Sequence, residues 1–349
     1  MILPNTYAIT LLLTIVSMLC WGSWANTFKL SGKWRFELFY FDFSFGVLLA
    51  ALVYAFTFGS MGYDGFSFVD DLLHAGKTQD AYGFMAGVIF NLANMLLVAA
   101  ISIAGLSVAF PVGIGTALVI GVVWNYAIKP QGNPALLFSG VAIIAAAIIV
   151  DALAYRAYSL AKAEQVAQSG KAKSTRKQVS LKGILISLLS GLLMGSFYPL
   201  VEMGKGDEIV GLGPYSIGVV FALGVFLSTF VFNLFFMNLP VEGEPVEILE
   251  YFRGKMKQHA LGILGGFIWS TGAIANFVAA SAQGPAQVGP AASYAIGQGA
   301  TMVSALWGLL VWKEFAGADF KVRSLLIVMF VLFVIGLGLV SVAPLHTGK

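Results

Sequence analysis

Ten long apolar segments restrict what this chain can fold into. A bilayer core is about 30 Å thick, so a helix needs about 20 apolar residues to cross it. Ten runs of this length are predicted spans, numbered 1 to 10 in chain order, with approximate bounds 6–28, 37–59, 81–102, 105–127, 134–155, 181–203, 213–237, 258–281, 287–311 and 323–344. The runs are apolar on every side and do not alternate as barrel strands do, which favours helices.

The composition indicates that lipid is the main solvent. Hydrophobic residues make up 58% of the chain and charged residues 11%, whereas about 25% of the residues in soluble domains are charged. The formal net charge of +3 gives no argument for a nucleic-acid partner. The single cysteine, Cys20, cannot form an internal disulfide, and the three histidines lack metal-ligand spacing. We therefore expect no metal and no resident cofactor.

The distribution of lysine and arginine predicts the orientation of the spans. If the segment between spans 5 and 6 lies on one side and the other loops alternate, that side holds 16 of the 20 lysines and arginines. Cytoplasmic loops carry such an excess. We therefore expect residues 158–180, a basic stretch with the composition of a flexible linker, to be cytoplasmic. Both termini would then lie outside an inner or plasma membrane.

Two segments of the chain resemble each other. Gly83–Val112 aligns without a gap with Gly262–Ala291 at an offset of 179. The identical pairs are Gly83/Gly262, Gly87/Gly266, Ile89/Ile268, Ala100/Ala279, Ser102/Ser281, Gly105/Gly284 and Pro111/Pro290, and Phe90/Trp269 is an aromatic pair. A weaker similarity joins Gly22–Ser23–Trp24 with Gly195–Ser196–Phe197.

The repeat unit contains five spans, an odd number, so its two copies cross the membrane in opposite directions. This predicts an all-α membrane protein with ten transmembrane helices arranged as a 5+5 inverted-topology repeat. The first repeat would occupy residues 1–157, the linker 158–180 and the second repeat 181–349.

An inverted repeat is typical of secondary transporters, which bind solute near the bilayer midplane between the two repeats. Two similar halves can exchange conformations, which gives inward-open and outward-open states of similar energy. The chain is thus predicted to be a transporter that works by alternating access. An intramembrane enzyme would need paired carboxylates, a metal pair or a Ser–Lys dyad within the spans, and we find none that is persuasive. A receptor or scaffold has no evident use for the repeat.

Aromatic and amide side chains within the spans mark the candidate solute site, because several of them share helix faces. The predicted solute-binding residues are Trp24, Asn91, Asn94, Tyr198, Trp269, Asn276, Tyr294 and Gln298. Rings that stack and amides that donate and accept hydrogen bonds suit a neutral, planar or hydroxylated small molecule. The alternative is that the amides bond neighbouring helices together and that tryptophan lies at the membrane interface.

Three acidic residues fall within the predicted spans, namely Asp42, Asp151 and Glu202. A carboxylate inside a membrane can carry a proton in step with a solute. We expect Asp42 or Glu202 to couple transport to a gradient of protons or another ion. The alternative is a structural ion pair or an interfacial acid, and it applies most of all to Asp151.

Several segments resemble known transporters. Ten helices, a five-plus-five repeat and a basic central linker resemble the drug/metabolite transporter superfamily. Within it, the chain is similar to the ureide permease family at Cys20–Thr27, Tyr40–Phe43, Ala104–Val108, Trp124–Tyr126 and Phe138–Val141. The similarity covers most of the chain.

The resemblance implies a proton-coupled carrier of allantoin, uracil or related oxo-heterocycles. Cousin families are glucose or ribose uptake permeases and rhamnose–proton symporters, so a sugar permease is an alternative. Efflux of a metabolite or drug on the same fold is another. The linker is short and has no phosphate loop, unlike the plant pattern, so nucleotide regulation is not implied. The expected partners are a small-molecule substrate and membrane lipid, and the chain is expected to be a monomer or a homodimer.

Overall fold

The fold is built from ten membrane-spanning helical segments. The computed structural model describes residues 1–168, 181–206, 209–240 and 244–346. Within these ranges, ten segments are long and apolar enough to cross a membrane: Tyr7–Leu30, Phe36–Phe56, Lys77–Ala104, Val108–Ile128, Pro134–Glu164, Leu181–Lys205, Pro214–Asn238, Met256–Ala280, Gly284–Val311 and Phe320–Leu345. The prediction of ten spans in an all-α fold is confirmed.

Two spans are interrupted. Span 1 consists of the helices Tyr7–Ser23 and Ala25–Leu30, which meet at Trp24. Span 9 begins with the 3₁₀ turn Gly284–Ala286 and continues as the helices Pro290–Gly297 and Ala300–Leu306 and the π-helical turn Trp307–Val311. Such irregular backbone at membrane depth is tolerated where it lines a cavity or is buried in protein.

Three spans have helix bounds that differ slightly from the membrane-spanning segments, and two loops contain short helices. The helix of span 4 is Leu106–Ile128, that of span 5 is Pro134–Gln168, and that of span 10 is Phe320–Val342, followed by the 3₁₀ turn Ala343–Leu345. Short helices at Phe68–His74 and Leu249–Phe252 lie in the loops after spans 2 and 7. Gly105, at φ +80°, forms the short link expected between spans 3 and 4.

Span 5 continues past its predicted end at residue 155. Its helix runs to Gln168, so residues 158–168, which we expected to belong to a flexible linker, are helical. The reason is local, because residues 156–168 contain neither glycine nor proline and are rich in Ala, Leu, Lys, Glu and Gln, which favour helices. The rest of the linker, 169–180, lies outside the described residues.

Hydrogen bonds between loops define two sides of the bundle. On one side the amide of Ile2 donates to the carbonyl of Phe58 at 2.9 Å. On the other, Arg35 Nη1 donates to the carbonyl of Glu244 at 3.1 Å, and Tyr158, near the end of span 5, donates to the carbonyl of Ala316 at 2.9 Å. We call the second side, where span 5 ends and span 6 begins, the linker side, and the first the opposite side.

The spans pack in corresponding pairs. Span 3 packs on spans 4, 6 and 7, and span 8 packs on spans 9, 1 and 2. Span 4 also packs on spans 5 and 6, and span 9 on spans 10 and 1. Spans 2 and 7, 4 and 9, and 5 and 10 pack directly on each other. When both span numbers are shifted by five, the contacts of spans 3 and 4 become those of spans 8 and 9, and the pairs 2–7, 4–9 and 5–10 map onto themselves. The correspondence is incomplete, because span 7 also packs on spans 6 and 8, while span 2 makes no contact of similar extent with spans 1 and 3 within the described residues.

Glycines allow corresponding spans to touch backbone to backbone. A Cβ atom added to Gly87 of span 3 would lie 2.1 Å from the carbonyl oxygen of Phe221 in span 7. One added to Gly266 of span 8 would lie 1.9 Å from the carbonyl oxygen of Phe43 in span 2. No side chain fits at such distances, so both positions require glycine. Gly87 and Gly266 are also partners in the sequence repeat.

These contacts predict how alanine acts at both positions. Gly87→Ala and Gly266→Ala should each lower the free energy of unfolding by about 1–3 kcal/mol, because the added methyl group overpacks the helix pair. Thermal unfolding of the purified protein in detergent measures the change. Gly338→Ala is the matched control, since no described atom beyond its chain neighbours and its own helix backbone lies within 4 Å of a Cβ at that position. Equal unfolding temperatures for Gly266→Ala and Gly338→Ala would contradict the prediction.

Candidate solute-binding cavity

A central cavity of about 180 Å³ lies between spans 1, 3, 4, 6, 8 and 9. Its walls are formed by Trp21, Gly22, Trp24, Ala25, Phe90, Asn94, Leu97, Phe110, Ile114, Met194, Phe197, Trp269, Gln298, Ala300, Thr301 and Ser304. Pockets for drug-sized ligands measure about 300–1,000 Å³, so this one suits a smaller solute. None of the described residues that line it is charged.

Aromatic rings form one wall of the cavity. The rings of Trp21 and Trp269 are stacked, with centroids 6.0 Å apart and planes 18° apart. Phe90 lies 4.3 Å from the Trp269 ring and 5.3 Å from that of Phe197. Packed rings of this kind present flat apolar faces on which a planar solute can stack. Phe90 and Trp269 are the aromatic pair of the sequence repeat, and that signal could have identified Phe90 as a site residue.

Amide and hydroxyl groups supply the polar part of the lining. Asn94 Nδ2 donates to the Tyr40 hydroxyl at 3.0 Å, which orients the amide, while its Oδ1 accepts no hydrogen bond from a described residue. The Gln298 side chain has no hydrogen-bond partner among the described residues and lies between the two helices of span 9. Thr301 and Ser304 follow on the same span. The cavity therefore offers free donors and acceptors to a solute.

Four of the eight predicted solute-binding residues line this cavity, namely Trp24, Asn94, Trp269 and Gln298. Ala25 and Ser304, on the linker side of the lining, are exposed. The cavity therefore opens toward the linker side.

The cavity is closed toward the opposite side by Tyr198, Asn276, Ser293 and Tyr294, which we call the closure cluster. Tyr198 and Ser293 both donate to Asn276 Oδ1, at 2.5 and 2.7 Å, and Asn276 Nδ2 donates to Ser17 Oγ at 3.0 Å. Tyr294 is fully buried behind Met194, a lining residue, with its hydroxyl 3.4 Å from that residue's carbonyl oxygen. Three predicted site residues, Tyr198, Asn276 and Tyr294, thus lie beyond the lining in this conformation.

Asn91, the eighth predicted residue, lies between spans 3 and 7. Its Nδ2 is 2.8 Å from Ser228 Oγ, 3.1 Å from Thr229 Oγ1 and 3.2 Å from the carbonyl oxygen of Val225. This arrangement matches the alternative in which an amide bonds neighbouring helices together.

Glu202 is paired with Lys205 one turn further along span 6. Lys205 Nζ lies 2.6 Å from Glu202 Oε1, and both side chains are buried, with 8% and 5% exposed. Buried charges are tolerated when they are paired in this way. Residues three apart on a helix lie on the same face, so the spacing of Glu202 and Lys205 in the sequence is a signal from which this pair could have been predicted.

Asp42 lies near the linker side, outside the cavity lining. Its Oδ1 accepts a hydrogen bond from the Tyr251 hydroxyl at 2.6 Å, and its Oδ2 is 2.9 Å from His259 Nδ1. Burial and the neighbouring Asp42 carboxylate raise the pKa of the Tyr251 hydroxyl, which lies in the loop before span 8. Tyr251 and His259 are more than 200 residues away in the chain, and no local pattern marks them as partners.

No metal centre is formed within the described ranges, where no three His, Cys, Asp or Glu side chains are grouped closely enough to hold an ion. The groups available for binding are the rings, amides and hydroxyls of the cavity.

Ten apolar spans around a central cavity define a multi-pass membrane protein. The family model for ureide permeases matches residues 39–181 and 171–343. The chain therefore belongs to the ureide permease family, a family of membrane transporters.

Individual relatives extend over nearly the whole chain. Ureide permease 1 of Arabidopsis thaliana is 23% identical over 381 aligned residues, covering 95% of this chain and 96% of the relative. Ureide permease 5 of the same plant is 24% identical, covering 94% and 92%. Probable ureide permease A3 of Vigna unguiculata is 22% identical, covering 81% and 88%. A protein of known crystal structure shares the fold, with a TM-score of 0.59 and 16% identity over 96% of both chains.

The closure cluster predicts a stability effect. Asn276→Ala would remove the side-chain oxygen that accepts from the buried hydroxyls of Tyr198 and Ser293, and each hydroxyl would keep only its 3.3 Å contact with the backbone carbonyl of residue 276. The loss should cost about 1 kcal/mol for each hydrogen bond removed. We expect a clearly lower temperature of thermal unfolding. Asn238→Ala is the control, because Asn238 is exposed and bonds only within its own helix, so its effect should stay within about 0.5 kcal/mol. Similar losses for the two variants would contradict the role of the cluster.

Proposed function

We propose that this protein is a secondary active transporter of a ureide or a nucleobase-like oxo-heterocycle, and that it works by alternating access. The observation that carries the proposal is the central cavity, in which aromatic walls, the Asn94 carbonyl oxygen and the Gln298 amide face a space that opens toward the linker side. The family membership and the names of the relatives support the choice of solute.

The lining favours a neutral, flat solute rich in amide groups. Its described residues include no charged side chain, and a charged solute would lose its hydration there without gaining an ionic partner among them. The indole and phenyl rings can stack on a planar heterocycle. The Asn94 carbonyl group and the Gln298 amide can bond to its N–H and C=O groups.

The correspondence between spans supports alternating access. Gly22 packs against Ala300 and Val303 of span 9, and its sequence partner Gly195 packs against Ala117 and Ile120 of span 4. Two five-span units of opposite direction would produce such matched contacts. They could therefore close the linker side while the opposite side opens, which would carry a solute from one side to the other.

The charge distribution supports an orientation in which the linker side faces the cytoplasm and the protein lies in the plasma or inner membrane. The structure would then represent an inward-open state. A proton gradient is the proposed energy source, because acids inside the spans can take up and release protons.

Transport assays test the solute and the cavity together. Reconstituted protein should take up labelled allantoin or uracil, and Asn94→Ala and Gln298→Ala should each raise KM by up to about tenfold through the loss of one solute hydrogen bond. Asn238→Ala, outside the cavity, should leave KM unchanged. Uptake of glucose or rhamnose in place of the heterocycles would overturn the solute assignment and favour a sugar permease.

Cysteine labelling tests the orientation. In a Cys20→Ser background, we expect a membrane-impermeant maleimide to label Tyr63→Cys in intact cells, since Tyr63 is fully exposed in an opposite-side loop. Arg253→Cys, in a linker-side loop, should react only after permeabilisation. The reverse pattern would place the linker side outside the cell.

A further inference from the structure

A second, smaller cavity of about 60 Å³ adjoins the central one. It lies between spans 4, 5 and 9, and Phe110, Thr301 and Ser304 belong to the linings of both cavities. Its own lining adds Pro111, Asp151, Ala152, Tyr155 and Ala305. We call it the side cavity. Asp151 is the one acidic residue among the described residues of this lining.

Asp151 differs from the other two acids that we expected within the spans. Its side chain is buried, with the residue 6% exposed, and its Oδ1 has no hydrogen-bond partner among the described residues. Asp42 is held by Tyr251 and His259, and Glu202 by Lys205. Asp151 alone of the three combines burial, an unpaired oxygen and a place in a cavity wall.

No described cation balances Asp151. Tyr155, one turn further along the same helix, donates its hydroxyl hydrogen bond to Glu314 Oε2 at 3.0 Å. Lys29 also pairs with Glu314, so its positive charge is directed to Glu314 and not to Asp151.

The elements packed around Asp151 do not supply a charge either. Spans 4 and 9 contribute only uncharged residues to the side cavity. The buried residues of span 10, which packs on span 5, are all apolar: Val322, Leu326, Met329, Phe333, Gly336 and Val340.

An ionised carboxylate without a partner is costly in surroundings of low dielectric constant. Buried charges are therefore kept where they are paired, bind an ion or exchange a proton. Since pairing is absent at Asp151 and the side cavity holds little more than a water molecule or two, a proton is the ligand that fits.

We propose that Asp151 is the carboxylate that binds and releases the coupling proton. The proposal refines the proposed transport function and depends on it. With the cavity open to the linker side, the Asp151 carboxyl can give its proton to water that enters past Ser304, and it becomes a carboxylate. Phe110, Thr301 and Ser304 form a wall between the central cavity and the side cavity and line both of them. The binding of a solute on one side of this wall and the binding of a proton on the other can therefore influence each other, which couples the two.

The direct test is Asp151→Asn in proteoliposomes with an imposed proton gradient. We expect the variant to lose gradient-driven accumulation, so that its solute ratio falls to the value measured without a gradient, while solute exchange at equal pH continues. Asp151→Glu should restore accumulation with a displaced pH profile. Asp80→Asn, at the start of span 3 and outside both cavities, is the matched control and should accumulate solute as the unmodified protein does.

Other outcomes would overturn the inference. Accumulation that survives in Asp151→Asn but is lost in Asp42→Asn or Glu202→Gln would assign the proton to another acid. Uptake that depends on a sodium gradient, or on no ion gradient, would refute the proton as the coupling ion and would leave the solute assignment unchanged. Absence of uptake of any tested heterocycle by the unmodified protein would instead contradict the proposed function.

A readout without solute keeps the inference testable in every case. Infrared difference spectra of the membrane-embedded protein between acid and alkaline pH should contain the C=O band of a buried protonated carboxyl group. The band should be absent from Asp151→Asn and present in Asp80→Asn. An identical band in Asp151→Asn would refute proton binding at this residue, and a cooperative thermal transition confirms that each variant is folded.

Discussion

The requirement that polar groups find partners inside lipid governs the whole arrangement of side chains in this protein. Asn91 bonds three groups of span 7, Glu202 pairs with Lys205, and Asn276 joins spans 1, 6, 8 and 9. Asn91 and Asn276 join neighbouring spans, and the Glu202–Lys205 pair neutralises two buried charges on one helix. The Gln298 amide and Asp151 Oδ1 have no partner among the described residues and lie at the two cavities, whereas other unpartnered atoms, such as Asn91 Oδ1 and Asn125 Oδ1, lie outside both linings. Partnered polar groups thus stabilise the bundle, and the unpartnered groups in the cavity walls are available to a solute or an ion.

The sequence predicts the ten spans because the thickness of the bilayer fixes the length of each apolar run, and no tertiary information is needed. It also predicts Gly87 and Gly266 as a pair, and both meet a backbone carbonyl of a neighbouring span. The end of span 5 was less predictable, since polarity suggested a linker where residues 156–168 have helix-forming side chains. The polarity of the side chains indicates where a helix leaves the membrane, whereas their helix propensity determines where the helix itself ends.

The candidate site was only half predictable. Trp269 and Asn276 lie two helical turns apart on span 8, and the sequence gives both the same interpretation, yet Trp269 lines the cavity and Asn276 closes it. The difference depends on depth within the bundle and on Tyr198 of span 6, neither of which is encoded locally. The sequence likewise does not identify Tyr251 and His259 as the partners of Asp42, because they are distant in the chain and meet it only in the folded bundle. Glu202–Lys205 is the exception, because a helical spacing of three residues can be read directly from the chain.

The two ends of the central cavity differ chemically although the spans around it correspond. On the opposite side, Tyr198 and Asn276 close it with buried hydrogen bonds. The sequence partners of these two residues, at the offsets of the two repeat alignments, are Ala25 and Leu97, which are apolar and line the cavity. In the proposed cycle, closing the linker side would bring these two apolar side chains together, while opening the opposite side would expose bonded polar groups to water. The two proposed states would therefore be separated by chemically different barriers.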